Sequence, residues 1–182
     1  ILVYLYFLGQ RNPIIVDTQI PFFSEESKKD PTRPIFSKPR SNDDSCWFIF
    51  IEKAFAKACG DYFSIDSGTT DYAARILTDQ YTENHNRFGS NNKLFNPIDQ
   101  LFDKLHLLNE KKTMLGASIN INEILNCTFK QLRHKTGLIN EHGYQIMDLK
   151  KVENKNFIKL RNPWGNYEWK GAYSNESKEL TE

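Results

Sequence analysis

Two residues of this 182-residue chain have types and spacing that could do chemistry, a histidine at the head of one apolar run and an asparagine at the end of the next. His142 opens HGYQIMDL and Asn162 closes NFIKLRN, with the charged and polar stretch Lys150 to Lys155 between the two runs. An imidazole that shuttles a proton needs its far nitrogen held in one tautomer and one orientation. A carboxamide oxygen accepting that N–H does this without adding charge. Such a pair is the His-Asn part of a Cys-His-Asn arrangement, here in the required chain order. Trp164 follows closely enough to lie over the His-Asn bond and keep water from competing for it. Spacing alone is a weak signal, because a histidine at a strand end is more often a partly exposed polar residue than a base.

The elements that must position this pair are legible in the hydrophobic pattern. Tyr144, Ile146 and Asp148 alternate with Gln145, Met147 and Leu149, while Phe157, Ile158 and Leu160 form a second apolar run, so an antiparallel hairpin would carry His142 toward Asn162. Upstream, MLGASIN at Met114 to Asn120 reads as a strand. Before it, Asn96 as N-cap and Pro97 at the first helical position open a helix with Ile98, Leu101, Phe102, Leu105 and Leu108 on one face, ending at Glu110 to Lys112. That apolar stripe should lie on a sheet. Ile121 to Lys135 is less regular and holds Cys127 and His134.

The first part of the chain has its own pattern. Two apolar runs, ILVYLYFL and IIVDTQIPFF, are split by the turn-rich Gly9 to Pro13, which predicts a hairpin. Ser24 to Asn42, with Pro31, Pro34 and Pro39, reads as a surface connection. From Ser45 the period becomes helical, with Trp47, Phe48, Ile51, Ala54, Phe55 and Ala58 on one face, Asp43, Asp44 and Ser45 at the start and Gly60 at the end. Asp66 to Thr70 is a turn, and Tyr72 to Tyr81 is a short helix or loop. A boundary falls near here, before the polar stretch Thr82 to Lys93.

Composition bounds the function. With 39% hydrophobic and 13% aromatic residues the chain can bury a core, as one domain or two small ones. The net charge of +1, with no cluster of Lys and Arg interleaved with aromatics, argues against nucleic acid as a partner. ILVYLYFL is far shorter than a membrane span and reads as a buried strand, and its start without Met or a basic leader looks cut from something longer. Cys46, Cys59 and Cys127 are odd in number and lack CxxC or metal-like spacing, which favours a reducing, cytoplasmic setting over a disulfide framework.

Whole words of the sequence carry a resemblance. GLINEHGYQI resembles the histidine motif of the calpain family of papain-like cysteine proteases, and KLRNPWGNYEWKGAYS resembles its asparagine motif. FIFIEKAFAKACGDY is similar to that family's glutamate-lysine-alanine helix, MLGASIN to a leucine-glycine-x-serine-isoleucine strand, and Val16 to Pro21 to a loosened Asp-Asp-Arg-Leu-Pro segment. The resemblance implies an α+β, papain-like cysteine proteinase fold in partial form. Residues 1–80 would be the end of a helical first subdomain, and residues 81–182 the antiparallel second subdomain, truncated at its C-terminus. It further implies a cysteine endopeptidase acting on protein or peptide substrates, with His142 as general base, Asn162 as its orienter and Trp164 in support. Calcium is implied too, with Glu168 on a ligand position, as are additional domains or a regulatory subunit.

The departures from the family pattern matter as much. Thr78, Asp79 and Gln80 stand where the family has Thr-Gly-Gly, Glu141 where it has Gly before the His, and Asn175 where a later calcium ligand is acidic. Each touches substrate or ion binding and none touches the core, which favours as an alternative a catalytically inactive module used for binding or regulation. A third reading uses Cys46 as nucleophile, since Asp-Ser-Cys-Trp echoes the Gly-x-Cys-Trp of papain-like enzymes and a helix N-terminus suits a thiolate. Against it, the residues after Cys46 match a later helix of the family. On the resemblance the nucleophile belongs upstream of Ile1, and the chain by itself is expected to be inactive.

Overall fold

The computed structural model describes residues 1–24, 34–39, 45–85, 97–119 and 128–180. The chain is α+β, with helices and antiparallel sheets, and it divides into two compact units, Ile1–Glu83 and Asn84–Glu182. Among the described residues no helix is long and apolar enough to cross a membrane.

In the first unit, β1 (Leu2–Phe7) pairs antiparallel with β2 (Gln10–Ile15), from Leu2 opposite Ile15 to Phe7 opposite Gln10. The turn is tighter than the sequence predicts. Leu8 and Gly9 both have positive φ, 53° and 73°, and close the hairpin by themselves, as a two-residue primed turn does. Pro13 therefore sits inside β2, where a two-stranded ribbon leaves it no ladder N–H to supply. Leu5 is fully buried and meets Val16, Ala54 and Ile76 in the core, with Phe50 and Phe55 packed against it.

Helix α1 (Trp47–Cys59) begins after Cys46, which provides no side-chain cap; Asp43 and Asp44 lie outside the described residues. Its buried face is Ile49, Ala54 and Ala56, whereas Trp47 is 65% exposed and Ala58 is exposed. The expected face is thus displaced. A segment as uniformly apolar as WFIFI does not select a side by periodicity, and the buried alanines show where a neighbour comes close. The Glu-Lys-Ala word is spent on packing. Glu52 accepts hydrogen bonds from the Ser37 N–H and hydroxyl, Lys53 donates to Asp17 and to the Gln19 carbonyl, and Ala54 is fully buried. Lys57 also reaches the Ile15 carbonyl, so α1 is stitched to the end of β2. After a 3₁₀ turn at Phe63–Ile65, α2 (Thr70–Thr78) buries Ile76 and ends on Asp79.

In the second unit, α3 (Ile98–Glu110) starts one residue past Pro97, which is extended at φ −56° and ψ 138°; the expected cap Asn96 lies outside the described residues. The sheet has the order β3 (Gly116–Ser118), β4 (Gly143–Val152), β5 (Lys155–Arg161), antiparallel throughout. Phe102 of α3 packs with Ile146 and Leu149, so the helix stripe lies on the sheet as its spacing predicts. Helix α4 (Phe129–Thr136) forms in the latter part of the stretch expected to be irregular; residues 121–127 lie outside the described residues. Only Leu132 is buried in it, so no apolar periodicity announces it, but Thr128 and Gln131 form a reciprocal capping box that T-x-x-Q does announce.

One irregularity decides which side chains of β4 face the core. The register shifts between Ile146 and Asp148, so Tyr144, Ile146 and Leu149 are all buried, although strict alternation would put Leu149 on the other face. Asp148 holds this bulge, its Oδ1 accepting from Asn109 Nδ2 at 3.1 Å and from the Leu149 N–H at 3.0 Å. Loss of hydration pushes the Asp148 carboxyl up, but the Asn109 amide, the Leu149 N–H and Lys150 outweigh it and hold its pKa below the ordinary value. A lowered folded-state pKa contributes stability above the unfolded value of about 3.9, and that contribution is lost as pH falls through the folded value. Asp148→Ala should therefore lower the melting temperature near neutral pH, with the gap from wild type closing as the pH is taken below about 4. A gap that stays constant across melts from neutral to acid pH would show that the carboxylate does not hold the bulge.

Candidate active site

His142 lies immediately before β4 and Asn162 immediately after β5, so the hairpin returns one to the other, and His142 Nε2 is 2.8 Å from Asn162 Oδ1. The turn that accomplishes this is only Glu153 and Asn154, shorter than the charged stretch the sequence marks, with Glu153 at φ 53°. His142 is nine-tenths buried, the one buried polar residue among those described. Its ring lies between two aromatics. Trp164 is 4.4 Å away between ring centroids at 54°, and Tyr144 meets it edge-on at 4.9 Å. Trp164 is itself 58% exposed, with one part of its surface on the imidazole and the rest open.

The carboxamide of Asn162 can take only one orientation. Its Oδ1 also accepts from the Trp164 N–H at 3.1 Å, and its Nδ2 donates to the carbonyls of Asn166 and Tyr167. With the amide oxygen thus turned toward the imidazole, Nε2 must be the donor, and a neutral ring then carries its lone pair on Nδ1. Hydrogen bonding, with no second charge, sets the tautomer. What this can do is accept a proton at Nδ1 from an acidic neighbour and return it, the part that the His and Asn of a Cys-His-Asn arrangement play.

Tyr144 is visible in the sequence only as one member of an alternating run, yet it helps to seat His142. Its hydroxyl accepts the Ile139 N–H at 2.9 Å, which ties the loop before His142 to β4. The signal was available, since 142, 144 and 146 share one face at period two. The two carbonyls that hold Asn162 carry no side-chain signal at all. Glu141, where the resemblance expects Gly, has φ 52° and donates its N–H to the Ile119 carbonyl at 2.8 Å. Asp79 likewise has φ 56° as the C-cap of α2. Both acids thus occupy left-handed backbone, which explains why glycine suits these positions.

The remaining candidates have surroundings of their own. Glu168 is exposed, and its Oε2 receives Asn175 Nδ2 at 3.5 Å. Cys46 is exposed at the start of α1 and lines a cavity of about 660 Å³ with Ile1, Leu2, Val3, Tyr4, Trp47, Phe50 and Ile51, an apolar surround without an imidazole. Cys59 is half-buried, both thiols are unlinked, and Cys127 lies outside the described residues.

An antiparallel sheet that brings a buried imidazole to an orienting carboxamide has the arrangement expected of the His and Asn in a papain-like fold. The comparison with known families agrees, and is more specific: the profile of the calpain family cysteine proteases matches residues 2–182, and the chain belongs to that family. It is 30% identical over 182 residues to the calpain-1 catalytic subunit of Rattus norvegicus, covering 96% of this chain and 23% of that protein. Against calpain-9 of Mus musculus it is 27% identical over 170 residues, covering 91% and 22%. The calpain-type cysteine protease DEK1 of Arabidopsis thaliana is 25% identical over 175 residues, covering 96% and 8%. The chain therefore spans less than a quarter of the length of these relatives.

Proposed function

We propose that this chain supplies the general base and its orienter to a calpain-type cysteine endopeptidase. The observation that carries the reading is the His142–Asn162 bond of 2.8 Å, with the amide held so that the ring proton sits on Nε2. In the intact protein a cysteine contributed by sequence preceding this stretch gives its proton to His142 Nδ1, and the thiolate sulfur attacks the carbonyl carbon of a peptide. His142 then returns that proton to the leaving amine. Water, deprotonated by the same nitrogen, cleaves the thioester and frees the thiol. The stretch alone, without that thiol, is inactive. Residues 1–80 end a first subdomain and residues 81–182 make up most of the second, a reading supported by the division into compact units after Glu83. The unlinked Cys46 and Cys59 suit a cytoplasmic setting, and flanking domains or a regulatory subunit fit the share of the relatives that the chain spans.

Calcium belongs to this reading as a regulator of the intact protein and not as a group held at Glu168. The ion takes about six to eight oxygen ligands. The Glu168 carboxylate is faced by the amide nitrogen of Asn175, and among the described residues no group of three or more His, Cys, Asp or Glu side chains could hold an ion. This donor set does not fit a tight site, and no step is routed through the ion.

A second reading is favoured by the side chains on left-handed backbone at Asp79 and Glu141, where bare backbone would let a peptide approach. It makes the chain a non-catalytic binding or regulatory module. Assay of the intact protein on an unstructured protein substrate separates the two. The first predicts cleavage that a thiol alkylator stops and that Cys46→Ala leaves within about twofold of wild type, the spread expected of an exposed surface change. No cleavage by wild type would establish the second reading, and loss of cleavage in Cys46→Ala would move the nucleophile to α1.

A further inference from the structure

We infer that Arg133, on the last turn of α4, is a positioning residue for the His142–Asn162 pair, acting through the loop Asn166 to Lys170. This inference rests on the proposed role of that pair. The path is continuous, its longest hydrogen bond being the 3.4 Å contact from Asn162 Nδ2 to the Tyr167 carbonyl. The Arg133 guanidinium lies over the Tyr167 ring, 4.9 Å from its centroid. The Asn166 and Tyr167 carbonyls both accept from the Asn162 Nδ2, and that amide presents its oxygen to His142 Nε2. Two further ties hold the same loop to the same helix end. Lys170 donates its N–H to the Thr136 carbonyl at 3.0 Å and its ammonium to the His134 carbonyl at 3.1 Å.

The chemistry explains why a cation is needed at this point. The loop turns through left-handed backbone at Tyr167, φ 63°, an unfavourable conformation for an aromatic residue that persists only where neighbours hold it. The carbonyls of α4's C-terminus are the negative end of the helix and attract the Lys170 ammonium. Arg133 completes the arrangement by stacking on the ring whose own carbonyl grips Asn162. Without it, Tyr167 is free to relax and its carbonyl leaves Nδ2. The amide then keeps only the Asn166 carbonyl and the Trp164 N–H, and its hold on the Nε2–H tautomer loosens.

Two readouts test this. In the full chain labelled with ¹⁵N-histidine, wild-type His142 should show the Nε2–H tautomer, and Arg133→Ala should show a mixture of tautomers in a protein that remains folded. In the intact protein, Arg133→Ala should lower kcat about three- to fivefold with KM unchanged, the size that an exposed cation–π contact supports, and Arg133→Lys should restore most of it. Tyr167→Leu, which keeps the carbonyl but removes the stacking partner, should reproduce the effect if Arg133→Ala proves unstable. An unaltered Nε2–H signature together with unaltered kcat in both variants would overturn the inference. The nitrogen spectrum reads the positioning even in a protein that cleaves nothing, so failure of the protease reading and failure of this inference remain distinguishable.

Discussion

His142→Ala in the intact protein is expected to lower kcat/KM by about 10²- to 10⁴-fold or more, the range over which a positioned acid-base group contributes, while the protein stays folded. The two halves of that expectation come from different contacts. Nδ1 is the only atom of the arrangement that is both basic and freed by the Nε2 bond, so its removal leaves no group to take the thiol proton. Structurally the loss is bounded. The ring gives up its contacts with Trp164 and Tyr144, but Asn162 Oδ1 keeps the Trp164 N–H, and Tyr144 keeps the Ile139 N–H. A cost of about 1 to 3 kcal/mol follows, as for other deletions of a buried side chain that orphan no partner. Asn162→Ala should be the milder lesion in rate, because the base remains and only its tautomer is released, but the harsher in stability, because the Trp164 N–H and two loop carbonyls lose their partner together. Steady-state kinetics with thermal melts of both variants check this ordering. Turnover in His142→Ala within about twofold of wild type would remove His142 from the chemistry.

Why the His142–Asn162 pairing was readable in advance, and some details of the elements around it were not, has a physical basis. His142 and Asn162 bracket a hairpin whose period-two alternation and polar turn constrain their separation, so the pairing is a consequence of strand geometry that spacing can express. The bulge between Ile146 and Asp148 cannot be expressed that way. It depends on an acid finding Asn109 from a different element, and its effect is to move Leu149 onto the core face. The same holds for α1, where nearly every residue is apolar and the choice of face belongs to Leu5 and Val16 on the neighbouring hairpin. Helix α4 was legible in its cap and invisible in its apolar pattern, since a single buried leucine makes no stripe. What orients Asn162 is backbone, and backbone carbonyls have no letter in the sequence.

Gly137 is the exception, a backbone requirement that does have a letter, and adding a methyl group there should have a large structural effect. It is the C-cap of α4 at φ 77°, and a Cβ built there would sit 1.8 Å from the carbonyl oxygen and 2.7 Å from the carbonyl carbon of Glu168. Main chain cannot swing aside as a flexible side chain does, so Gly137→Ala must push the Glu168 peptide away from α4. That displacement breaks the Lys170–Thr136 bond and drags the adjoining Asn166 and Tyr167 carbonyls off the Asn162 amide. A left-handed alanine alone costs roughly 1 kcal/mol. Adding the clash should bring the loss to roughly 3 kcal/mol or more, among the larger effects of a single substitution. Gly165→Ala is the control that separates these contributions, because Gly165 has a similar φ of 71° but nothing within 4 Å of its would-be Cβ. Melting experiments should therefore show a modest loss for Gly165→Ala and a severalfold greater one for Gly137→Ala. Activity in the intact protein should fall with the second and far less with the first. Equal losses would mean that the helix end and the Glu168 peptide are not in contact, and that the loop is held at Asn162 alone.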